Sequence, residues 1–112
     1  MYKRQYQAAQ RLLARGRPLT GLFAMSDVMA IGAIRALRDA GKRVPEDVSV
    51  VGFDGLTIGE YTIPKLTTVC QPIAELAERS IRMLLENIEQ PRGSRHETVP
   101  VALAEKESAR QI

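Results

Sequence analysis

The stretch Val44-Pro45-Glu46-Asp47-Val48-Ser49-Val50-Val51-Gly52-Phe53-Asp54-Gly55 decides the architecture of this chain. Its centre, Val48 to Phe53, is nearly continuous apolar sequence rich in β-branched residues, the pattern of a parallel strand covered on both faces. At its carboxyl end the strand delivers a carboxylate, Asp54, and a glycine, Gly55. Open α/β sheets bind ligands outside the carboxyl ends of their strands. No catalytic partner accompanies Asp54, so the pattern suits holding a small molecule rather than transforming one. An ordinary Asp-Gly turn is the competing reading.

Working outward from that strand, Leu19 to Met25 is a short apolar run centred on Phe23, read as a buried strand. Ser26 and Asp27 are both good N-caps for a helix over 28–40, which Gly41 ends in the C′ position. Before it, Tyr6, Ala9, Leu12 and Leu13 recur at helical spacing until Gly16 and Pro18 stop them. After Gly55 comes a loop to Leu66 with one helical turn near 58–61, then a β-branched strand over 67–71. Pro72 suits the first turn of a helix running to 89. Its stripe is Ile73, Leu76, Ala77, Ile81, Leu84, Leu85 and Ile88, with Glu75–Arg79 and Glu78–Arg82 paired at i,i+4 on the other side. A final strand is expected over 97–103, with Pro100 placing it at an edge or bulge. The order α-β-α-β-β-α-β describes an α/β fold, a mostly parallel sheet flanked by helices.

A length of 112 residues sets a prior of one domain or part of one, and 45% hydrophobic content suffices for a packed core. Sixteen basic against thirteen acidic residues give a mild +3, without the dense runs of a nucleic-acid arm. One cysteine excludes an intramolecular disulfide. No apolar stretch approaches the ~20 residues that span a bilayer, and a cytoplasmic location without membrane contact is the expectation. Met1-Tyr2-Lys3-Arg4-Gln5 resembles the translation of a library-preparation transposon end, so residues 1–5 are expected to be a sequencing scar, with a genuine N-terminal helix as the alternative. Without Lys3 and Arg4 only fourteen basic residues face thirteen acidic ones, and the basic character nearly vanishes. The expectation is then the tail of a longer gene.

Three strands end in polar residues: Ser26-Asp27, Asp54 and Gln71. In a parallel sheet these ends share one rim, so a hydroxyl, two carboxylates and an amide could line one cleft. Carboxylate and amide groups suit a polyhydroxylated ligand, whose hydroxyls both donate and accept. Each has a plainer reading: Ser26 or Asp27 as a helix cap, Asp54-Gly55 as a turn, Gln71 as the lead-in to a helix. The helix over 28–40 shows apolar residues on one face (Val28, Ile31, Ile34, Leu37) and little polar surface opposite. Its far face is expected to meet a partner, with Gly32 allowing close approach; burial within its own domain is the alternative. A Gly-rich phosphate loop and a dinucleotide fingerprint are lacking. His96 stands alone, so no metal site or Ser-His-Asp arrangement is expected, and Cys70 reads as an inert buried thiol.

Four ordered motifs carry a resemblance. Phe23-Ala24-Met25-Ser26-Asp27-Val28-Met29-Ala30-Ile31-Gly32-Ala33 resembles the F-A-x-N/S-D-x-M-A-x-G-A segment of the lac repressor-like (LacI/GalR) transcription factors. Residues 44–54 are similar to that family's V-P-x-D-v-S-v-v-G-F/Y-D. Pro64-Lys65-Leu66-Thr67-Thr68-Val69-Cys70-Gln71-Pro72 is similar to its P-x-L-T-T-V-x-Q-P, and Glu105-Lys106-Glu107-Ser108 to its closing motif.

The resemblance implies a partial periplasmic-binding-protein-like (type I) fold. Residues 6–112 would be the C-terminal part of an effector-binding and dimerisation domain whose DNA-binding head is missing. It implies effector contacts from Asp54, Gln71 and Ser26, the last departing from the family's commoner Asn, and an apolar contact from Ile73. It implies a homodimer interface through Val28, Ile31, Gly32 and Tyr61. The partners implied are a sugar-like small molecule and, through the missing head only, operator DNA. Neither enzymatic activity nor a cofactor is implied. A periplasmic sugar-binding protein of the same fold is the alternative.

Overall fold

A computed structural model of the protein describes residues 2–112. Met1, where the expected scar begins, lies outside the described residues. Lys3, Arg4 and Gln5 continue helix α1 (Tyr2–Ala14). The chain then forms β1 (Gly21–Phe23), α2 (Asp27–Asp39), β2 (Ser49–Asp54), a single 3-10 turn (Thr57–Glu60), β3 (Thr67–Cys70), α3 (Ile73–Glu89) and β4 (Ala102–Ala104). That is the expected order. It divides into two units: one runs to Cys70 and resumes at Ala102–Ile112, and the other is Gln71–Val101.

In the first unit the sheet has the order β1-β2-β3-β4. β1 pairs parallel with β2 through Leu22↔Val50, and β2 pairs parallel with β3 through Gly52↔Thr68. β4 closes the far edge antiparallel to β3 through Val69↔Leu103. The core lies under α2, where Ala30, Ile34 and Leu37 meet Val48, Val50 and Leu66. Leu37 and Leu66 are wholly buried, each contributing about 1.5–3 kcal/mol of transfer free energy.

A second cluster joins Ala33 and Ala36 of α2 to Ala9 of α1, with Tyr6 and Leu22 against it. The Tyr6 hydroxyl donates to Asp39 Oδ2 at 2.7 Å and pins the two helices together. Part of the face of α2 expected to await a partner is therefore covered by the chain's own first helix. Small side chains on both helices, Ala9 facing Ala33 and Ala36, let their backbones come close.

The chain end is tied into the sheet. Ser108 is fully buried. Its hydroxyl donates to the Val50 carbonyl at 2.6 Å and accepts from the Thr67 amide at 2.8 Å, while its own carbonyl accepts from the Val50 amide at 2.8 Å. Ser108 thus bridges β2 and β3 where their ladder begins. The closing motif has a structural role.

In the second unit α3 buries none of its residues. Its i,i+4 pairs form as expected, Arg79–Glu75 at 2.7 Å and Arg82–Glu78 at 2.5 Å. Several boundaries differ from the sequence reading: β1 is Gly21–Phe23 rather than 19–25, with Phe23 exposed rather than buried, and α2 runs Asp27–Asp39 rather than 28–40. β3 ends at Cys70 rather than 71, and α3 begins at Ile73 with Pro72 just outside it as an N-cap that makes no side-chain hydrogen bond. The expected strand over 97–103 shrinks to Ala102–Ala104. Val99-Pro100-Val101 alternates like a strand, but Pro100 has no N–H to give a ladder. Only Ala102 and Leu103 of the expected range find partners on β3, and the strand runs one residue past it to Ala104.

Candidate functional site

Ser26 ends the segment after β1, and Asp54 is the last residue of β2. The two strands are parallel neighbours, and the Ala24 amide donates to the Val51 carbonyl at 2.8 Å just past β1. Both candidates therefore share the carboxyl-end rim of the first unit. Gln71 and Ile73 belong to the second unit, where Gln71 is half-buried and Ile73 is mostly exposed.

Ser26 resolves in favour of its plainer reading as well as its place on the rim. With extended backbone it caps α2, its Oγ accepting from the Met29 amide at 3.2 Å. That satisfies one of the helix's first amides. The hydroxyl hydrogen remains a donor that the cap does not use.

Asp27 departs from the expectation that two carboxylates line the rim. It is 0% exposed. Its Oδ2 accepts from the amides of Gly55 at 3.0 Å and Leu56 at 2.7 Å, and its Oδ1 accepts from the Thr68 hydroxyl at 2.5 Å. A carboxylate loses a large hydration free energy on burial unless several donors replace the water. Three donors do so here, from segments 28, 29 and 41 positions away. The space also has to exist: a Cβ added at Gly52 would collide with Asp27 Oδ1 and stand 3.1 Å from Leu66 Cδ2. Gly52, Leu56 and Thr68 were not singled out from the sequence. A glycine inside a strand, a mark of close approach, was the one available signal.

Asp54 adopts φ 132°, and Gly55 follows at φ 83°. For a non-glycine residue such a backbone costs about 1–3 kcal/mol and persists only where the surroundings enforce it. The surroundings are specific. The amides of Gly55 and Leu56 are held by Asp27, and a Cβ on Gly55 would lie 2.8 Å from Cys70 Sγ, so only glycine fits. The plain turn reading accounts for Gly55 but not for a strained aspartate ahead of it.

Of the expected interface residues, Val28 and Ile31 are half-buried and Gly32 is buried on α2, while Tyr61 is 79% exposed. Ile58 and Ile63 are exposed beside Tyr61 in sequence, and Arg38 Nη1 of α2 donates to the Ile63 carbonyl at 2.8 Å. The loop after the 3-10 turn is thereby fastened to α2. Two perturbed carboxyls of the first unit lie away from the rim. Asp39 is held below its ordinary range by the Tyr6 hydroxyl and then by Arg35, and Asp47 well below it by the side chain and then the amide of Arg43. Among the described residues no group of three or more His, Cys, Asp or Glu could hold a metal, and no helix is long and apolar enough to cross a membrane.

Comparison with known proteins gives this geometry a context. Residues 1–109 match the family profile of the periplasmic binding protein-like domain. The chain is 39% identical to the HTH-type transcriptional regulator MalR of Clostridium butyricum over 107 residues, which is 96% of this chain and 32% of that protein. It superposes on the LacI family transcriptional regulator from Enterococcus faecium with bound ribose at a TM-score of 0.81 and 40% identity, covering 94% of this chain and 39% of that one. On the lac repressor dimer bound to operator and the anti-inducer ONPF the TM-score is 0.87 at 31% identity, covering 94% and 37%. The chain spans about a third of the length of the curated relative it matches.

Proposed function

The chain belongs to the periplasmic binding protein-like domain family, in the branch whose relatives are LacI-type transcriptional regulators, and from that premise we propose that it is the effector-binding and dimerisation part of such a regulator. Asp54 accepts hydroxyl hydrogens of a sugar-like effector. Ser26 and Gln71 supply a hydroxyl and an amide, and Ile73 an apolar contact. Residues 6–112 form the closing part of the effector-binding domain. Operator contact is assigned to the rest of a regulator of the relatives' length. Dimerisation is assigned to Val28, Ile31, Gly32 and Tyr61, supported by exposed Ile58, Tyr61 and Ile63 on a loop fastened to α2.

The observation that carries the effector reading is the strained Asp54, held at φ 132° on a strand's carboxyl end. Strain at such a rim supports a residue held ready for a ligand. The coupling of effector to operator then requires only that the effector bind two arrangements of the regulator unequally.

The test uses a full-length regulator containing this segment, with operator binding followed by fluorescence anisotropy against a sugar panel headed by ribose. Asp54→Ala is expected to keep operator affinity and to bind the responding sugar about a hundredfold more weakly, the scale of lost charge-assisted hydrogen bonds. A variant that still responds normally overturns the assignment. For the interface, Tyr61→Asp is expected to convert a dimer to monomer in sedimentation; an unchanged dimer removes Tyr61 from it.

A further inference from the structure

We propose that Asp27 is the positioning residue for Asp54: it acts on the effector by fixing the backbone that aims the neighbouring carboxylate. This rests on the reading of Asp54 as an effector contact. The two amides that Asp27 Oδ2 holds, those of Gly55 and Leu56, belong to the two residues directly after Asp54. Without that oxygen both amides lose their acceptor in a part-buried site, and a strained φ of 132° loses one of the forces that enforce it. Cys70 closes the turn from the other side by lying against Gly55. Asp27 is in turn fixed by Thr68 of β3 at 2.5 Å, and it has room only because position 52 lacks a side chain.

The lock therefore spans four segments: the start of α2, the end of β2, the turn after it, and β3. Its consequence is specific. Asp27 is also the first residue of α2, directly after the Ser26 cap. The orientation of Asp54 and the start of α2 are thereby one rigid feature, so a shift of either is carried to the other through one carboxylate.

The test compares Asp27→Ala, Thr68→Val and Thr68→Ser in the full-length regulator, with crystal structures, melting temperature and ribose titration. Thr68→Val keeps the β-branched shape and removes the hydroxyl, so it reports even where Asp27→Ala does not fold. Asp54 is expected to leave its positive φ in Asp27→Ala and Thr68→Val and to keep it in Thr68→Ser. Ribose binding is expected to weaken about tenfold in Thr68→Val and recover in Thr68→Ser, within the coupling seen between residues of one hydrogen-bond network. A Thr68→Val protein that melts lower yet retains both the positive φ and wild-type ribose affinity overturns the proposal, since a merely structural contact predicts that pattern. A relaxed φ with unchanged ribose affinity also overturns it. In a regulator that does not respond to ribose, the φ of Asp54 alone decides. The failure of the effector reading is separable: there Asp54→Ala leaves sugar response intact whatever Thr68→Val does to the backbone.

Discussion

Helices α2 and α3 carry similar sequence information and meet opposite fates. α2 buries seven of its thirteen residues, with Leu37 0% exposed. α3 has the more sharply segregated apolar stripe, yet it buries nothing, and Leu84 is 56% exposed. Amphipathic periodicity therefore specifies which face of a helix is apolar and leaves open whether anything covers it. The cover for α2 comes from elements distant in sequence, β2 on one side and α1 on the other. α3 carries surface ion pairs instead: two i,i+4 pairs within the helix, and Glu86–Arg95 at 2.6 Å and Arg79–Glu97 at 3.8 Å to the segment that follows it.

The sharpest way to break that comparison is truncation of equivalent leucines. Leu37→Ala is expected to destabilise the protein by about 2–5 kcal/mol in urea unfolding, the range for core truncations, whereas Leu84→Ala should cost under about 1 kcal/mol. Equal losses would mean that the α3 stripe is covered in solution. The helix starts differ next. Ser26→Ala removes the α2 cap and should cost about 1 kcal/mol, read from the same unfolding curves. α3 begins at Ile73, and its N-cap Pro72 makes no side-chain cap bond, so Pro72→Ala should show no comparable cap loss. On α3 itself, Glu78→Gln should reduce helicity by only ~0.3 kcal/mol, and circular dichroism should show the difference fading with added salt.

The smallest effect is a titration at the junction of α1 and α2. The Asp39 carboxyl is held below its ordinary range, first by the Tyr6 hydroxyl and then by Arg35. A depressed carboxyl adds stability above the unfolded value, roughly pH 4, and that contribution disappears as pH falls through the folded value. In Tyr6→Phe, carbonyl chemical shifts should place the Asp39 midpoint at higher pH than in the wild type. An unmoved midpoint would mean that Arg35 alone sets it and that Tyr6 does not pin the helices.

Much of the fold was legible because its signals are local. The near-continuous run Val48 to Phe53, the cap at Ser26 and the stop at Gly41 each act within one turn or strand, and the structure keeps all three. The boundaries near Pro72 and Pro100 were less legible, because a missing N–H changes meaning with the partner available. The rim position of Ser26 and Asp54 followed from parallel strand order. The burial of Asp27 did not, since composition alone makes an aspartate after Ser26 look like a second rim carboxylate. Its donors come from Gly55, Leu56 and Thr68, which no window around position 27 contains.

The amino-acid sequence by itself determined the α/β order, the parallel core strand and the presence of a carboxylate and glycine at that strand's end. Short-range sterics and periodicity suffice for those. Only the tertiary structure decided that Asp27 turns inward, that Asp54 is held in a strained backbone, and that α1 covers part of α2. Each depends on groups brought together across tens of residues, where a buried charge is tolerable only once all its donors have arrived.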